Sequence, residues 1–214
     1  NMHKQAENFG AEFKYSKCQK IRRDGKYFVL ETGDGDITCY AVIIATGALH
    51  RHLGIPGEEE FAAKGVSYCA TCDGPFFKNK KILVVGGGDA ACDEANYLSN
   101  LTDQIILVHR RDKFRAQPAI AERTIKNPRI EIRYNTVVKE IKGESKVQQV
   151  VLSRTDKEEE YTEDMDAVFI FVGSIPQTQL VSELEMDEGG SLVTDQNMES
   201  SEKGIFIAGD VRST

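Results

Sequence analysis

The middle of the chain alternates between short apolar runs and amphipathic stretches. Residues 81–85 and 104–108 are mostly continuous apolar runs, which are typical of strands buried on both faces of a parallel sheet. Residues 89–101 and 117–126 carry apolar side chains at helical spacing, and residues 168–172 form a further buried strand. This order of strands and helices predicts an α/β fold, with a three-layer Rossmann-like dinucleotide-binding domain.

The chain before this unit has a different pattern. A helical stripe over residues 2–9 begins without a capping residue, as if the helix were entered midway. Short alternating runs at 12–15, 27–30 and 37–40 predict strands separated by turns. Residues 41–45 are a continuous apolar run, which predicts another strand buried on both faces. We interpret this region as part of a second domain.

Breaks in the pattern set the expected domain boundaries. The acidic run 58–60 is interpreted as the solvated start of a helix. Strands are expected within 130–154, with a turn at Lys142-Gly143, and residues 173–176 are typical of a linker. The predicted domains are residues 1–47 and 175–214 for one domain, and 48–174 for the inserted dinucleotide-binding domain.

Composition and charge restrict the possible partners. The 214 residues are 40% hydrophobic and 29% charged, with a formal net charge of −7. An acidic chain lacks the basic face that nucleic-acid binding requires. No apolar run reaches the roughly 18 residues of a membrane span, and no basic and apolar leader opens the sequence. We therefore expect a cytoplasmic protein that binds neither nucleic acid nor membrane.

One close pair of cysteines stands out among the five in the sequence. Cys69 and Cys72 are separated by two residues, a spacing that lets two thiols close a reversible disulfide. Asp73 follows directly and could exchange the proton that thiol–disulfide chemistry requires. The alternatives are half of a zinc site or two buried structural cysteines. A zinc site is disfavoured because the sequence has no second such pair and no paired histidines, so no metal is expected.

A glycine-rich turn joins the first strand of the predicted βαβ unit to its helix. Gly86 permits the tight turn, Gly88 lets the backbone approach a pyrophosphate, and Ala91 is small enough for close packing of helix on strand. The helix N-terminus offers free N–H groups to phosphates. A glycine run alone could be an ordinary loop, but its position between strand and helix favours nucleotide binding.

Basic residues follow the second strand of the unit. His109, Arg110 and Arg111 come directly after it, and Arg115 lies one helical turn further on. Acidic residues at this position bind the ribose 2′-OH of NAD, whereas arginine accommodates the 2′-phosphate of NADP. The alternative is a solvated basic strand end. The placement of three guanidinium groups favours NADPH.

Four motifs occur in this order along the chain: Cys-Ala-Thr-Cys-Asp-Gly from Cys69, Gly-Gly-Gly-Asp from Gly86, His-Arg-Arg-Asp-Lys-Phe-Arg from His109 and Ala-Gly-Asp from Ala208. Together they resemble the motifs of low-molecular-weight thioredoxin reductases. The resemblance extends essentially from Met2 to Arg212. Alanine and threonine between the cysteines favour this family over the related flavoprotein reductases of peroxidase systems.

The resemblance implies an NADPH-dependent flavoenzyme that passes electrons from NADPH to FAD, then to the Cys69–Cys72 disulfide, and finally to thioredoxin. It implies that Cys72 faces the flavin, that Cys69 attacks thioredoxin and that Asp73 is the acid/base. It also implies a homodimer for the full-length protein, with residues 1–47 and 175–214 as a partial FAD-binding domain.

The resemblance also assigns binding residues. The NADPH positions are Gly86, Gly88, Asp89, Ala90, Ala91, His109, Arg110, Arg111 and Arg115; the FAD positions are Thr46, Gly47, Gly209 and Asp210; the thioredoxin positions are Phe76 and Phe77.

The sequence departs from the family in one major respect. The family has a further glycine-rich turn that holds the FAD pyrophosphate, and no such turn occurs in these residues. We therefore expect these residues alone to be inactive and not to hold FAD. Two alternatives stay open: a reductase that supplies a peroxiredoxin or glutaredoxin-like protein, and a non-catalytic NADPH-binding module.

Overall fold

A computed structural model describes residues 2–213, which divide into two compact units. One unit is formed by the residues up to Leu49 together with those from Ile175 onward, and the other by His50–Ser174. The helices are α1 (Met2–Asn8), α2 (Ala70–Asp73), α3 (Asp89–Leu98) and α4 (Pro118–Ile125), with 3₁₀ turns at Gly74–Phe77 and Gln179–Val181. The strands are β1 (Cys18–Asp24), β2 (Tyr27–Thr32), β3 (Ile37–Cys39), β4 (Val42–Ile44), β5 (Ala48–His50), β6 (Val66–Ser67), β7 (Ile82–Gly86), β8 (Ile105–Val108), β9 (Ile130–Arg133), β10 (Thr136–Gly143), β11 (Val147–Arg154), β12 (Glu160–Asp164), β13 (Ala167–Phe171), β14 (Ser174–Pro176) and β15 (Ile205–Ile207).

The His50–Ser174 unit is built on a five-stranded sheet in the order β6-β13-β7-β8-β9, with every neighbouring pair parallel. Successive side chains of a strand point to opposite faces, so each central strand contributes to two cores. Leu83 and Val85 pack against β10 and β11 on one face, whereas Ile82 and Val84 pack against α3 on the other. The predicted α/β fold with three layers is therefore confirmed.

The outer antiparallel layer of this unit has the order β10-β11-β12. The predicted turn lies slightly later than expected, because Gly143 still pairs with Val147 and the loop is 144–146. Strand β12 was not anticipated, since Glu160–Asp164 is largely polar and is a strand only through its pairing with β11. The helices predicted at 89–101 and 117–126 are confirmed: α3 begins at Asp89 as predicted but ends at Leu98, and α4 is one residue shorter at each end.

The other unit contains a β1-β2-β3 antiparallel sheet and a parallel pair of β4 with β15. The strand predicted at 12–15 is wrong, because Phe13 and Tyr15 are exposed and residues 11–17 pair with no strand. The first strand is Cys18–Asp24 instead, which a tight turn at Gly25, with φ of +60°, joins to β2.

The chain passes from one unit to the other at β5 and returns at β14, and these two strands pair with each other. Within residues 2–213, no helix has the length and apolar character needed to cross a membrane.

Candidate functional site

The two close cysteines form a disulfide at the start of a short helix. Their Cα atoms are 5.3 Å apart, and Cys69 is the N-cap of α2. The Cys69 Sγ accepts a hydrogen bond from the backbone N–H of Cys72 at 3.2 Å. Ala70, fully buried against α3, anchors the helix in the core. An N–H directed at the Cys69 sulfur would favour its thiolate once the disulfide is reduced.

A buried serine holds the carboxylate next to the disulfide. Ser67, the last residue of β6, is only 5% exposed. Its hydroxyl donates to Asp73 Oδ2 at 2.6 Å and accepts the N–H of Cys69 at 3.1 Å. Sequence reasoning missed Ser67, although a serine at the end of a buried strand, two residues before the cysteine, was the available signal.

The structure separates the two aromatic residues that follow the disulfide. Phe76 is 80% exposed, whereas the Phe77 ring packs edge-to-face on Phe169, with ring centroids 5.9 Å apart. Phe77 is a partly buried member of the core beside α3. Of these two residues, Phe76 rather than Phe77 therefore presents its aromatic surface to a partner.

The three glycines after β7 have different structural environments. A Cβ at Gly86 would lie 2.4 Å from the Phe171 carbonyl oxygen and 2.5 Å from the Ala91 Cβ, and a Cβ at Gly87 would lie 2.2 Å from the His109 ring. A Cβ at Gly88 would meet no atom within 4 Å. The first two glycines are required by the protein's own packing, whereas the third leaves open space in front of the helix N-terminus.

A cavity of about 470 Å³ opens at the carboxyl ends of the parallel strands. The residues that line it come from five stretches of the chain: Arg51–Leu53 with Ile55, Val85–Ala90, Val108–Arg111 with Arg115, Thr136–Val138, and Phe171–Gly173. It therefore brings together every sequence-predicted NADPH residue except Ala91, which is fully buried beneath the turn and contacts Gly86.

The polar residues of this cavity have distinct roles. The side chains of Arg110, Arg111 and Arg115 are exposed and form no ion pair with any residue between 2 and 213. Asp89 is already engaged, because its carboxylate accepts hydrogen bonds from the backbone N–H and side-chain amide of Gln117. The three arginine side chains therefore give this cavity positive charge that no carboxylate of the described residues neutralises.

The His109 side chain also lines the cavity, and its surroundings favour the neutral imidazole. It is only 7% exposed, and burial lowers its pKa, as do the charges of Arg111, Arg110 and Arg115. Its Nε2 is buried without a hydrogen-bond partner among the described residues. A neutral imidazole with an unused ring nitrogen can accept or donate one hydrogen bond to a ligand.

A buried carboxylate holds one wall of the cavity. Glu58 is 1% exposed and accepts the backbone N–H groups of Leu53 at 3.0 Å and Gly54 at 2.7 Å. The hydroxyl of Tyr68 also donates to it, at 2.7 Å. Burial alone would raise the pKa of Glu58, but these hydrogen bonds and His52 outweigh it and lower the pKa. The interpretation of 58–60 as a solvated helix start is therefore wrong for Glu58.

The residues assigned to FAD lie together in the other unit. Thr46 and Gly47 follow β4, Gly209 and Asp210 follow β15, and these strands are parallel neighbours, so both pairs lie at one sheet edge. Positive φ angles at Gly47 (+71°) and Gly209 (+76°) turn the chain there. The Thr46 hydroxyl is used internally, since it donates to the Gln177 carbonyl at 2.6 Å. This edge is where α/β sheets bind ligands, but the described part of the unit contains no glycine-rich strand–helix turn for a pyrophosphate.

Comparisons with known proteins agree with this arrangement. Residues 3–214 match the family model described as pyridine nucleotide-disulphide oxidoreductase. The chain is 52% identical over 213 residues to a thioredoxin reductase of Treponema pallidum, covering 100% of this chain and 69% of that protein. It is 46% identical to a thioredoxin reductase of Listeria innocua, covering 97% of this chain and 66% of that protein. The chain thus spans about two thirds of the length of these relatives.

Solved structures show the same similarity. The thioredoxin reductase of Lactococcus lactis superposes with a TM-score of 0.84 at 43% identity, covering 100% of this chain and 71% of that one. The thioredoxin reductase of T. acidophilum gives a TM-score of 0.82 at 34% identity, and the match covers 99% of this chain and 70% of that one.

Proposed function

Since the chain belongs to the pyridine nucleotide-disulphide oxidoreductases and corresponds to about two thirds of a thioredoxin reductase, we propose a division of labour between its units. Residues 48–174 bind NADPH and carry the redox-active disulfide, while residues 1–47 and 175–214 contribute to an FAD-binding domain. When bound, NADPH supplies a hydride and FAD relays the two electrons to the disulfide.

The NADPH cradle is supported by the fit of the residues present. The pyrophosphate would lie over Gly88 and the N-terminus of α3, where a Cβ would have filled the space. The exposed guanidinium groups of Arg110, Arg111 and Arg115 would pair with the 2′-phosphate, which NADH lacks.

The FAD residues are supported by their common location. They follow the carboxyl ends of two neighbouring parallel strands, namely Thr46 and Gly47 after β4 and Gly209 and Asp210 after β15. Asp210 is exposed there and is available to accept a hydrogen bond from a hydroxyl of the flavin side chain. The family resemblance also supports a homodimer for the full-length protein. A cytoplasmic location suits the proposal, because thiols are kept reduced there.

The redox chemistry of the cysteines proceeds by thiol–disulfide exchange. The reduced Cys69 thiolate attacks one sulfur of the partner disulfide, so a mixed disulfide forms and the other partner sulfur leaves as a thiolate. Cys72 then attacks Cys69, which releases the second partner thiolate and restores the Cys69–Cys72 disulfide. Asp73, held by Ser67, takes the Cys72 proton and returns it to a leaving thiolate.

Thioredoxin is the proposed acceptor, and Phe76 is the exposed aromatic residue placed to contact it. The single observation that carries the proposal is a disulfide at a helix N-terminus with a positioned carboxylate, on the same unit as an arginine-lined nucleotide cavity.

Trapping experiments on the full-length enzyme containing this chain test the proposal. With Cys72→Ser, Cys69 should capture thioredoxin as a stable mixed disulfide, visible on a non-reducing gel, because the resolving thiol is gone. The matched Cys69→Ser variant should capture little. Capture only by Cys69→Ser would reverse the cysteine roles. Preferential capture of a peroxiredoxin or glutaredoxin-like protein under the same conditions would identify a different acceptor.

A further inference from the structure

Arg51 lines the nucleotide cavity, although no sequence motif points to it. It lies in the loop that follows β5, and its backbone bonds to Gly173 after β13, whereas His109–Arg111 follow β8 on the other side of β7. Its guanidinium is exposed and makes no ion pair or side-chain hydrogen bond within residues 2–213. A solvated cation in a cavity that already fits an anionic ligand is available to bind part of that ligand.

Sheet topology indicates which part of a dinucleotide Arg51 would meet. The Arg51 N–H donates to the Gly173 carbonyl at 2.9 Å, and Gly173 follows β13. Strand β13 lies on one side of β7 and strand β8 on the other. The pyrophosphate binds after β7 and the adenosine ribose at the end of β8. The nicotinamide half therefore extends toward β13 and Arg51.

The backbone around Arg51 is fixed on both sides. Gly173 holds its N–H, and two residues later the carboxylate of Glu58 holds the N–H groups of Leu53 and Gly54. Between them, His52 Nδ1 lies 2.9 Å from the Tyr68 hydroxyl, which itself donates to Glu58. Arg51 is thus presented from a preorganised wall, so little ordering of the backbone is required when a ligand binds.

We propose that Arg51 is a further NADPH-binding residue, whose guanidinium pairs with the phosphate on the nicotinamide side of the pyrophosphate. This inference rests on the proposed NADPH site and deepens it. Arg110 and Arg111 select for the 2′-phosphate at one end of the cavity, whereas Arg51 binds a group that lies toward the other end. The planar fork of arginine suits a phosphate oxygen pair.

Two nucleotides separate these roles. NADPH carries both halves, whereas adenosine 2′,5′-bisphosphate carries the 2′-phosphate and the adenosine-side phosphate but lacks the nicotinamide half. Calorimetric titration of the 214-residue chain with each measures their dissociation constants. Arg51→Ala should raise the dissociation constant of NADPH about tenfold or more, which is the effect of losing one charge-assisted contact. The dissociation constant of the bisphosphate should change by no more than about twofold. Arg51→Lys should retain part of the NADPH affinity.

Two comparison variants complete the design. The double variant Arg110→Ala/Arg111→Ala should bind both nucleotides more weakly, because both carry the 2′-phosphate. Lys139→Ala removes one positive charge at an exposed position of β10 outside the cavity lining and should change neither. Unchanged NADPH binding by Arg51→Ala, or equal losses for NADPH and the bisphosphate, would overturn the inference while leaving the proposed function intact. If the unmodified chain bound neither nucleotide, the proposed NADPH site would fail and the role of Arg51 with it.

Discussion

The glycine turn after β7 allows folding and binding to be separated by two single substitutions. Gly86→Ala places a methyl group 2.4 Å from the Phe171 carbonyl oxygen and 2.5 Å from the Ala91 Cβ, at a φ of +156°. Gly88→Ala places the same group in open space, at a φ of −95° that alanine adopts readily. Gly86→Ala should therefore lower the stability of the His50–Ser174 unit, whereas Gly88→Ala should weaken NADPH binding and leave the stability nearly unchanged.

The magnitudes follow from the contacts. Overpacking against backbone and a buried methyl costs about 1–3 kcal/mol, and the strained backbone angle costs a similar amount, so Gly86→Ala should lose about 2–6 kcal/mol. For Gly88→Ala, the poorer N-cap costs up to about 1 kcal/mol and the stiffer unfolded chain returns about 0.4–1 kcal/mol. The free energy of unfolding should therefore change by no more than about 1 kcal/mol.

Binding should show the opposite order for the folded variants. A methyl group at Gly88 would stand where we propose that the pyrophosphate approaches α3, so at least one charge-assisted hydrogen bond, worth about 1.5–3 kcal/mol, should be lost. NADPH should then bind at least about tenfold more weakly to Gly88→Ala.

Thermal denaturation followed by circular dichroism, together with calorimetric titration of NADPH, checks both halves of this prediction. Gly86→Ala should lower Tm by roughly 5–20 °C, and Gly88→Ala by no more than roughly 4 °C. Wild-type NADPH affinity in Gly88→Ala would refute the placement of the pyrophosphate. Equal destabilisation by the two substitutions would refute the division of roles between the glycines.

Two further predictions concern the buried polar contacts. Ser67→Ala in the full-length enzyme should slow thioredoxin reduction about tenfold without altering NADPH affinity, because Asp73 loses its hydroxyl partner; Ser67→Thr should restore much of the rate. Asp73→Asn is the matched control, and a normal rate in Ser67→Ala beside a slow Asp73→Asn would contradict the positioning role. Glu58→Gln should cost about 1–3 kcal/mol of stability at neutral pH. Because the folded-state pKa of Glu58 is lowered, its carboxylate stabilises the fold above the usual glutamate range, and this contribution is lost as the pH falls through the folded-state pKa. The difference between wild type and Glu58→Gln in urea denaturation should therefore shrink in acid, and a difference independent of pH would contradict the assignment.

The sequence determined the features that depend on local order. Apolar runs and helical spacing sufficed for β7, α3, β8, α4 and β13, because strands buried on both faces and amphipathic helices leave a periodic trace in the chain. The Cys-x-x-C pair and the glycine-rich turn could also be identified from the sequence, because their chemistry depends on spacing within a few residues. The domain assignment to FAD and NADPH stays a proposal built on these motifs.

Tertiary structure decided the features that depend on contacts between distant segments. Glu58 looks like a solvated acid in sequence, yet the loop at 53–54 and Tyr68 enclose it. Glu160–Asp164 is polar and becomes a strand only beside β11. Arg51 lies at the cavity of the parallel sheet because its backbone N–H bonds to the Gly173 carbonyl, far along the chain. Such contacts follow no local period, since hydrogen-bond partners and cavity walls are set by which strands become neighbours in the folded sheet.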